Sequence, residues 1–146
     1  MFKKTAFIIT IASLFLGLSN SYSSQTMASL ESLEWKNRII LIRESVDCKN
    51  TIAHLKQAKT EIDERHIFWF ILCKQNQLIS NFDGEISSSF LNTVNKKYFS
   101  KPKNNVVLIG KDGGVKYRSP ELRLNEINTL IDSMPMRQAE MREAEN

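Results

Sequence analysis

Cysteine and histidine, the side chains that carry most thiol and metal chemistry, are scarce: the 146-residue chain has two of each. Cys48 and Cys73 do not form a C-x-x-C pair. Dithiol exchange needs one thiolate at a helix start and a second thiol close enough to resolve the mixed disulfide, so the usual form of that chemistry is missing. His54 and His66 have no ligand-spaced partner, and neither belongs to an H-E-x-x-H helix or a nucleophile elbow. No metal and no cofactor is expected. There is no internal repeat and no low-complexity tract. Cationic excess is also small. Lys3 and Lys4 supply half of the net charge of +4, and both lie in a segment expected to be removed. Lys96, Lys97, Lys101 and Lys103 cluster around Tyr98 and Phe99, but a solvated loop accounts for them and no nucleic-acid partner is expected.

The one long apolar run is N-terminal. A basic head, Met1 to Lys4, precedes "AFIITIASLFLGL" (Ala6 to Leu18) and then the small and polar "SNSYSS". This is the layout of a secretory signal peptide. The run is shorter than the roughly 20 residues of a permanent membrane span. We expect a leader over residues 1–23, cleaved near Ser24, and a domain over 24–146 with its core at about 30–134 and a charged tail at 135–146. The expected location is periplasmic or secreted, with no stable membrane span once the leader is removed. Export permits disulfides, and an even count of two cysteines allows one.

The mature part alternates. Leu30, Leu33 and Trp35 are candidate core contacts. Ile39–Ile42 is a continuous apolar run suited to a strand buried on both faces. Ser45 or Asp47 can cap the next element, where Ile52, Leu55, Ala58 and Ile62 mark one helical face. "HIFWFILC", His66 to Cys73, reads as a central strand, with Phe68 and Trp69 in the core. Residues 74–87 carry no clear signal. A helix fits Ser88–Tyr98, with Ser87–Ser89 as its cap. Val106–Ile109 and Val115–Tyr117 flank Lys-Asp-Gly-Gly, a hairpin signal. That turn leads into a strand and has no Ser or Thr after its lysine, so it is not a phosphate-binding loop. Ser119, Pro120 and Glu121 read as a helix start, followed by an apolar face at Leu124, Ile127, Leu130, Ile131 and Met134. Pro135 should end or kink that helix. The charged tail beyond it is expected to be exposed, with a helix one of the conformations open to it. The order strand, helix, strand, helix, strand, strand, helix predicts an α/β protein: a mixed four-stranded sheet with flanking helices, a thioredoxin-like sandwich.

"LEWKNRIILI" (Leu33–Ile42), "VVLIGKDGGVKYR" (Val106–Arg118) and "IDSMPMRQAEMR" (Ile131–Arg142) resemble the family called domain of unknown function 4174, the DUDES domain family. The likeness runs from about Leu30 to Arg142 and is faint between Cys73 and Lys103. It implies a thioredoxin-like fold and an exported or extracellular setting. It implies no catalytic residues, because none are assigned for the family.

Two readings of the cysteines stay open. If the first two strands are parallel neighbours, Cys48 and Cys73 sit at one edge of the sheet, within the 4.4–6.8 Å Cα spacing that a bridge needs. A structural disulfide is then expected. Alternatively Cys48, at a helix start beside Lys49, acts as a single catalytic thiolate in a redox or peroxidase-like enzyme. No Thr or Pro precedes it as peroxidatic sites require. The cis-proline that faces thioredoxin cysteines is also missing, since that place falls at Asn104 or Asn105. The leading expectation is a non-enzymatic binding or interaction module of the cell envelope with an unknown protein partner.

Overall fold

A computed structural model describes residues 26–43, 48–100 and 102–145. The expected leader, the capping residues Ser45 and Asp47, and Lys101 lie outside them. Five strands are present: β1 (Arg38–Arg43), β2 (Ile67–Leu72), β3 (Leu78–Ser80), β4 (Val106–Ile109) and β5 (Val115–Ser119). They form one sheet in the order β3-β2-β1-β4-β5. β1 runs parallel to β2 with Arg38 opposite Ile67 and Arg43 opposite Leu72. The other pairings, β1–β4, β2–β3 and β4–β5, are antiparallel. The expected four-stranded sheet therefore gains a fifth strand, β3, from the stretch that carried no sequence signal. Three residues are too few for a period to show.

Alternation along the strands separates two cores. On one face Ile39, Leu41, Phe70, Leu72, Val107 and Ile109 pack against Leu30, Leu33 and α3 (Phe90–Tyr98). On the other, Ile40, Ile42, Ile67, Trp69, Ile71 and Leu108 pack against α1 (Cys48–Gln57), α2 (Lys59–Glu64) and α4 (Leu124–Asp132). Burial on both sides explains why Ile39–Ile42 of β1 and the whole of β4 are unbroken apolar runs. The hairpin turn between β4 and β5 uses Gly113 at φ +74°, where a side chain would also meet the Glu34 carboxylate.

Several sequence expectations change. The single helix over Ile52–Ile62 is two, broken at Ala58, although Leu55 and Ile62 still share one buried face. The third helix starts at Phe90, and the Ser89 hydroxyl meets Ser87 rather than capping it. Ser119–Pro120 does not open a helix. Ser119 is the last residue of β5, opposite Val106, and its carbonyl accepts from the Asn105 N–H at 2.9 Å. The sheet thus takes the backbone that a cap would need, and α4 starts at Leu124. Trp35 is not in the core: its side chain is 67% exposed. Its backbone sits at φ +64° and its N–H donates to the Lys111 carbonyl.

The charged tail forms a helix with no buried residue, yet it is fixed to the domain. Pro135 stands at the first position of α5 (Pro135–Ala144), and this helix is tied down by charge. Arg38, 1% exposed, grips Glu140 with both terminal nitrogens, at 3.0 and 3.1 Å. Lys111 reaches the same carboxylate at 2.8 Å. Arg137 joins α5 to Asp132 at 3.3 Å, and Arg65 meets Asp132 at 2.6 Å. Burial alone would raise the Glu140 pKa. The hydrogen bonds from Arg38 and Lys111 outweigh it and hold the carboxyl at about 2, below its ordinary 4.5.

This network is expected to dominate the acid response. Above pH 4.5 the Glu140 contribution is complete, and it disappears as pH falls through about 2, because the unfolded chain takes up the proton first. Glu140→Gln leaves two cations without a counter-charge and should cost about 3 kcal/mol near neutral pH. Urea titrations should show the gap between wild type and variant narrowing steadily toward acid pH.

Candidate functional site

The residues the sequence singles out meet at the edge where β1 and β2 end. Because these strands are parallel and in register, Arg43 and Leu72 finish level. Cys73 follows β2 directly, and Cys48 is the first residue of α1. Their Cα atoms are 6.1 Å apart and their sulfurs are bonded. Both are partly buried against the α1–α2–α4 face of the sheet. Behind Cys73 the chain turns through Gln75 and Asn76, both with positive φ, and the Cys73 N–H donates to the Gln77 carbonyl at 2.8 Å. That tight return starts β3.

A cavity of about 310 Å³ opens beside this corner, lined by Arg43, Asn50, Thr51, His54, Asn105 and Glu121 among others. Asn105 is fully engaged. Its carbonyl accepts from the Arg43 N–H at 2.7 Å and its N–H donates to Ser119. Its side-chain oxygen accepts from the Arg43 guanidinium at 3.3 Å, and its amide donates to the Pro120 carbonyl at 3.1 Å. Arg43 also donates to the Phe99 carbonyl and stacks 5.0 Å from the Phe99 ring. This cross-link of β1, β4 and the loop before α4 was not legible in the sequence, since its members lie in separate segments.

The two histidines are not brought together. His54 lines the corner cavity, whereas His66 stands at the other end of β2. There its Nδ1 accepts from Lys111 at 2.9 Å. Burial and then the neighbouring Lys111 cation lower the His66 pKa, which favours a neutral ring. Among the described residues no group of three or more His, Cys, Asp or Glu side chains is placed to hold a metal. No helix of the described residues is long and apolar enough to cross a membrane. Of the lysine cluster, Lys97 pairs with Glu31 at 3.2 Å and lies over the Tyr98 ring.

A central parallel pair, an antiparallel hairpin on the far side and helices on both faces make this a thioredoxin-like fold. In line with that, the chain is similar to the reduced crystal structure of 2-Cys peroxiredoxin from Plasmodium vivax, at 19% identity and a TM-score of 0.50. The match covers 75% of this chain and 84% of that one. At this identity the likeness speaks for the fold. The chain belongs to the family described as domain of unknown function (DUF4174), whose model matches residues 29–140. No curated protein matches it.

The bridge closes a loop with a sequence separation of 25. In the chain-entropy model such a closure contributes about 3.5 kcal/mol. The double variant Cys48→Ala/Cys73→Ala, or wild type held reduced, should therefore unfold at lower urea than the oxidised protein, with α-helical circular dichroism retained below the transition.

Proposed function

We propose that the protein is an exported, non-enzymatic binding or interaction module of the cell envelope, acting on an envelope partner or ligand. The observation that carries this reading is the state of the corner. The Cys48 sulfur is engaged with Cys73, so the place where thioredoxin-like enzymes keep a nucleophile holds a cross-link instead. The place of the facing proline falls at Asn104 or Asn105, and Asn105 is bound to Arg43 and to the Pro120 carbonyl. The layout of residues 1–23 and the presence of a disulfide both suit an oxidising compartment outside the cytoplasm.

One observation favours a second reading, a thiol redox or peroxidase-like enzyme working through Cys48. That residue opens the ten-residue helix α1, and a helix start stabilises a thiolate. Reduced, the pair would place a nucleophile and a resolving thiol on one edge.

Thiol counting separates the two. The full-length chain is expressed with its leader and recovered from the periplasm or medium, then alkylated before and after reduction and weighed. The expected mass lacks the leader and shows no alkylation until a strong reductant is added. A free Cys48 that consumes peroxide, with that activity lost in Cys48→Ser while the fold persists, would overturn the binding reading in favour of the enzyme. Full-length mass in the cytoplasm would overturn export.

A further inference from the structure

A larger concavity than the corner cavity lies elsewhere, away from the disulfide. It is a groove of about 710 Å³ between α1–α2 and the β2–β3 side of the sheet. Its floor is apolar, built by Leu55, Ile62, Ile67, Trp69 and Ile79. A size of this order and a lining of this kind are those of a small-molecule site. The groove exists because β3 is short. β3 pairs with only Phe70, Ile71 and Leu72, so nothing continues the sheet beside the first half of β2.

That uncovered edge is partly closed by a side chain. The Asn81 side chain accepts from the Trp69 N–H at 2.8 Å and donates to the Ile67 carbonyl at 3.1 Å. One amide thus occupies two of the backbone groups that an added strand would use. An occupant recognised through its own backbone is disfavoured, and one that offers hydrocarbon surface fits. The rim adds charge. Lys56 has no ion-pair partner among the described residues, and Lys59 is held by Asp63 in an exposed pair one helical turn away. Such exposed pairs are weak and exchange easily. His66, half-exposed, completes that side of the rim. With its pKa lowered, it adds little charge beside Asp63.

We infer that this groove binds an amphiphile with a single hydrocarbon chain and an anionic head, the chain lying over Ile67, Trp69 and Ile79 and the head at Lys56 and Lys59. This deepens the binding-module reading and rests on it for the view that the protein works by holding a ligand. The thiol count tests that reading and leaves the groove untouched, so the two can fail separately.

The two tryptophans provide the assay. Trp69 is 3% exposed on the groove wall and Trp35 is 67% exposed outside it. The probe is ω-bromododecanoate below its micelle concentration, since bromine quenches tryptophan by contact. In Trp35→Phe, where Trp69 is the sole reporter, saturable quenching is expected. In Trp69→Phe, where Trp35 remains, none is expected. Lys56→Glu/Lys59→Glu, on exposed helix positions, should weaken binding by about fivefold. The neutral ω-bromododecanol should bind more weakly than the acid and be indifferent to that double change. Absence of saturable quenching in folded Trp35→Phe would overturn the proposal. So would equal quenching of Trp35, or equal affinity for acid and alcohol. A dimer in sedimentation that excludes the probe would also overturn it and assign the groove to a second copy of the chain.

Discussion

The parallel pairing of β1 with β2, Arg38 opposite Ile67 through Arg43 opposite Leu72, places every other feature of the molecule. β1 is the central strand, buried on both faces and bonded on both edges. A one-residue slip would exchange the two cores, moving Ile40 and Ile42 away from the side of α1 and α4. It would also separate the groups that meet at the two ends of the pair. The register is therefore a constraint on chemistry as well as on packing.

The two ends are stabilised by different means. Where β1 and β2 finish, a covalent bond between Cys48 and Cys73 ties α1 to the start of the β3 return. Where they begin, the link is ionic: Arg38, the first residue of β1 and itself buried, is neutralised by Glu140 from α5, with Lys111 beside it. A buried guanidinium is tolerated only with such a partner. The C-terminal helix is thus a counter-charge for the central strand. It supplies no residue of the buried core, so charge and hydrogen bonding hold it rather than apolar burial. The Glu64 carbonyl, which accepts from Arg137 at 2.7 Å, extends the same tie to α2.

The candidate site lies at one end and the open groove beside the other, separated by the length of β2. Both arise where a strand stops early. At the corner, β1 and β2 end together and leave a space that Asn105 and Arg43 brace. At the groove, β3 ends at Ser80, and Asn81 replaces the missing strand with one side chain. At the groove the Asn81 amide satisfies two backbone groups that regular structure leaves over, and at the corner the Asn105 amide donates to the Pro120 carbonyl and accepts from the Arg43 guanidinium. An asparagine is suited to both places because its amide both donates and accepts.

Periodicity and run length carried most of the architecture. Ile39–Ile42, His66–Cys73 and Val106–Ile109 declare strands by composition alone, and Leu124 through Ile131 declare a helix face. The parallel neighbours then follow from chain order, and with them the meeting of Cys48 and Cys73. What sequence could not show depends on partners distant along the chain. Ser119–Pro120–Glu121 has the local chemistry of a helix start, yet pairing of Ser119 with Val106 claims that backbone for the sheet. Trp35 looks like core by type, but the bond from its N–H to Lys111 sets it facing solvent. Glu140 reads as one acid in a charged tail until Arg38 and Lys111 surround it. Local sequence therefore determined which segments are strand or helix, because hydrophobic pattern and propensity act over a few residues. Tertiary structure alone decided which polar groups are spent on the fold and which concavity stays open, because desolvation and hydrogen-bond partners are properties of the packed whole.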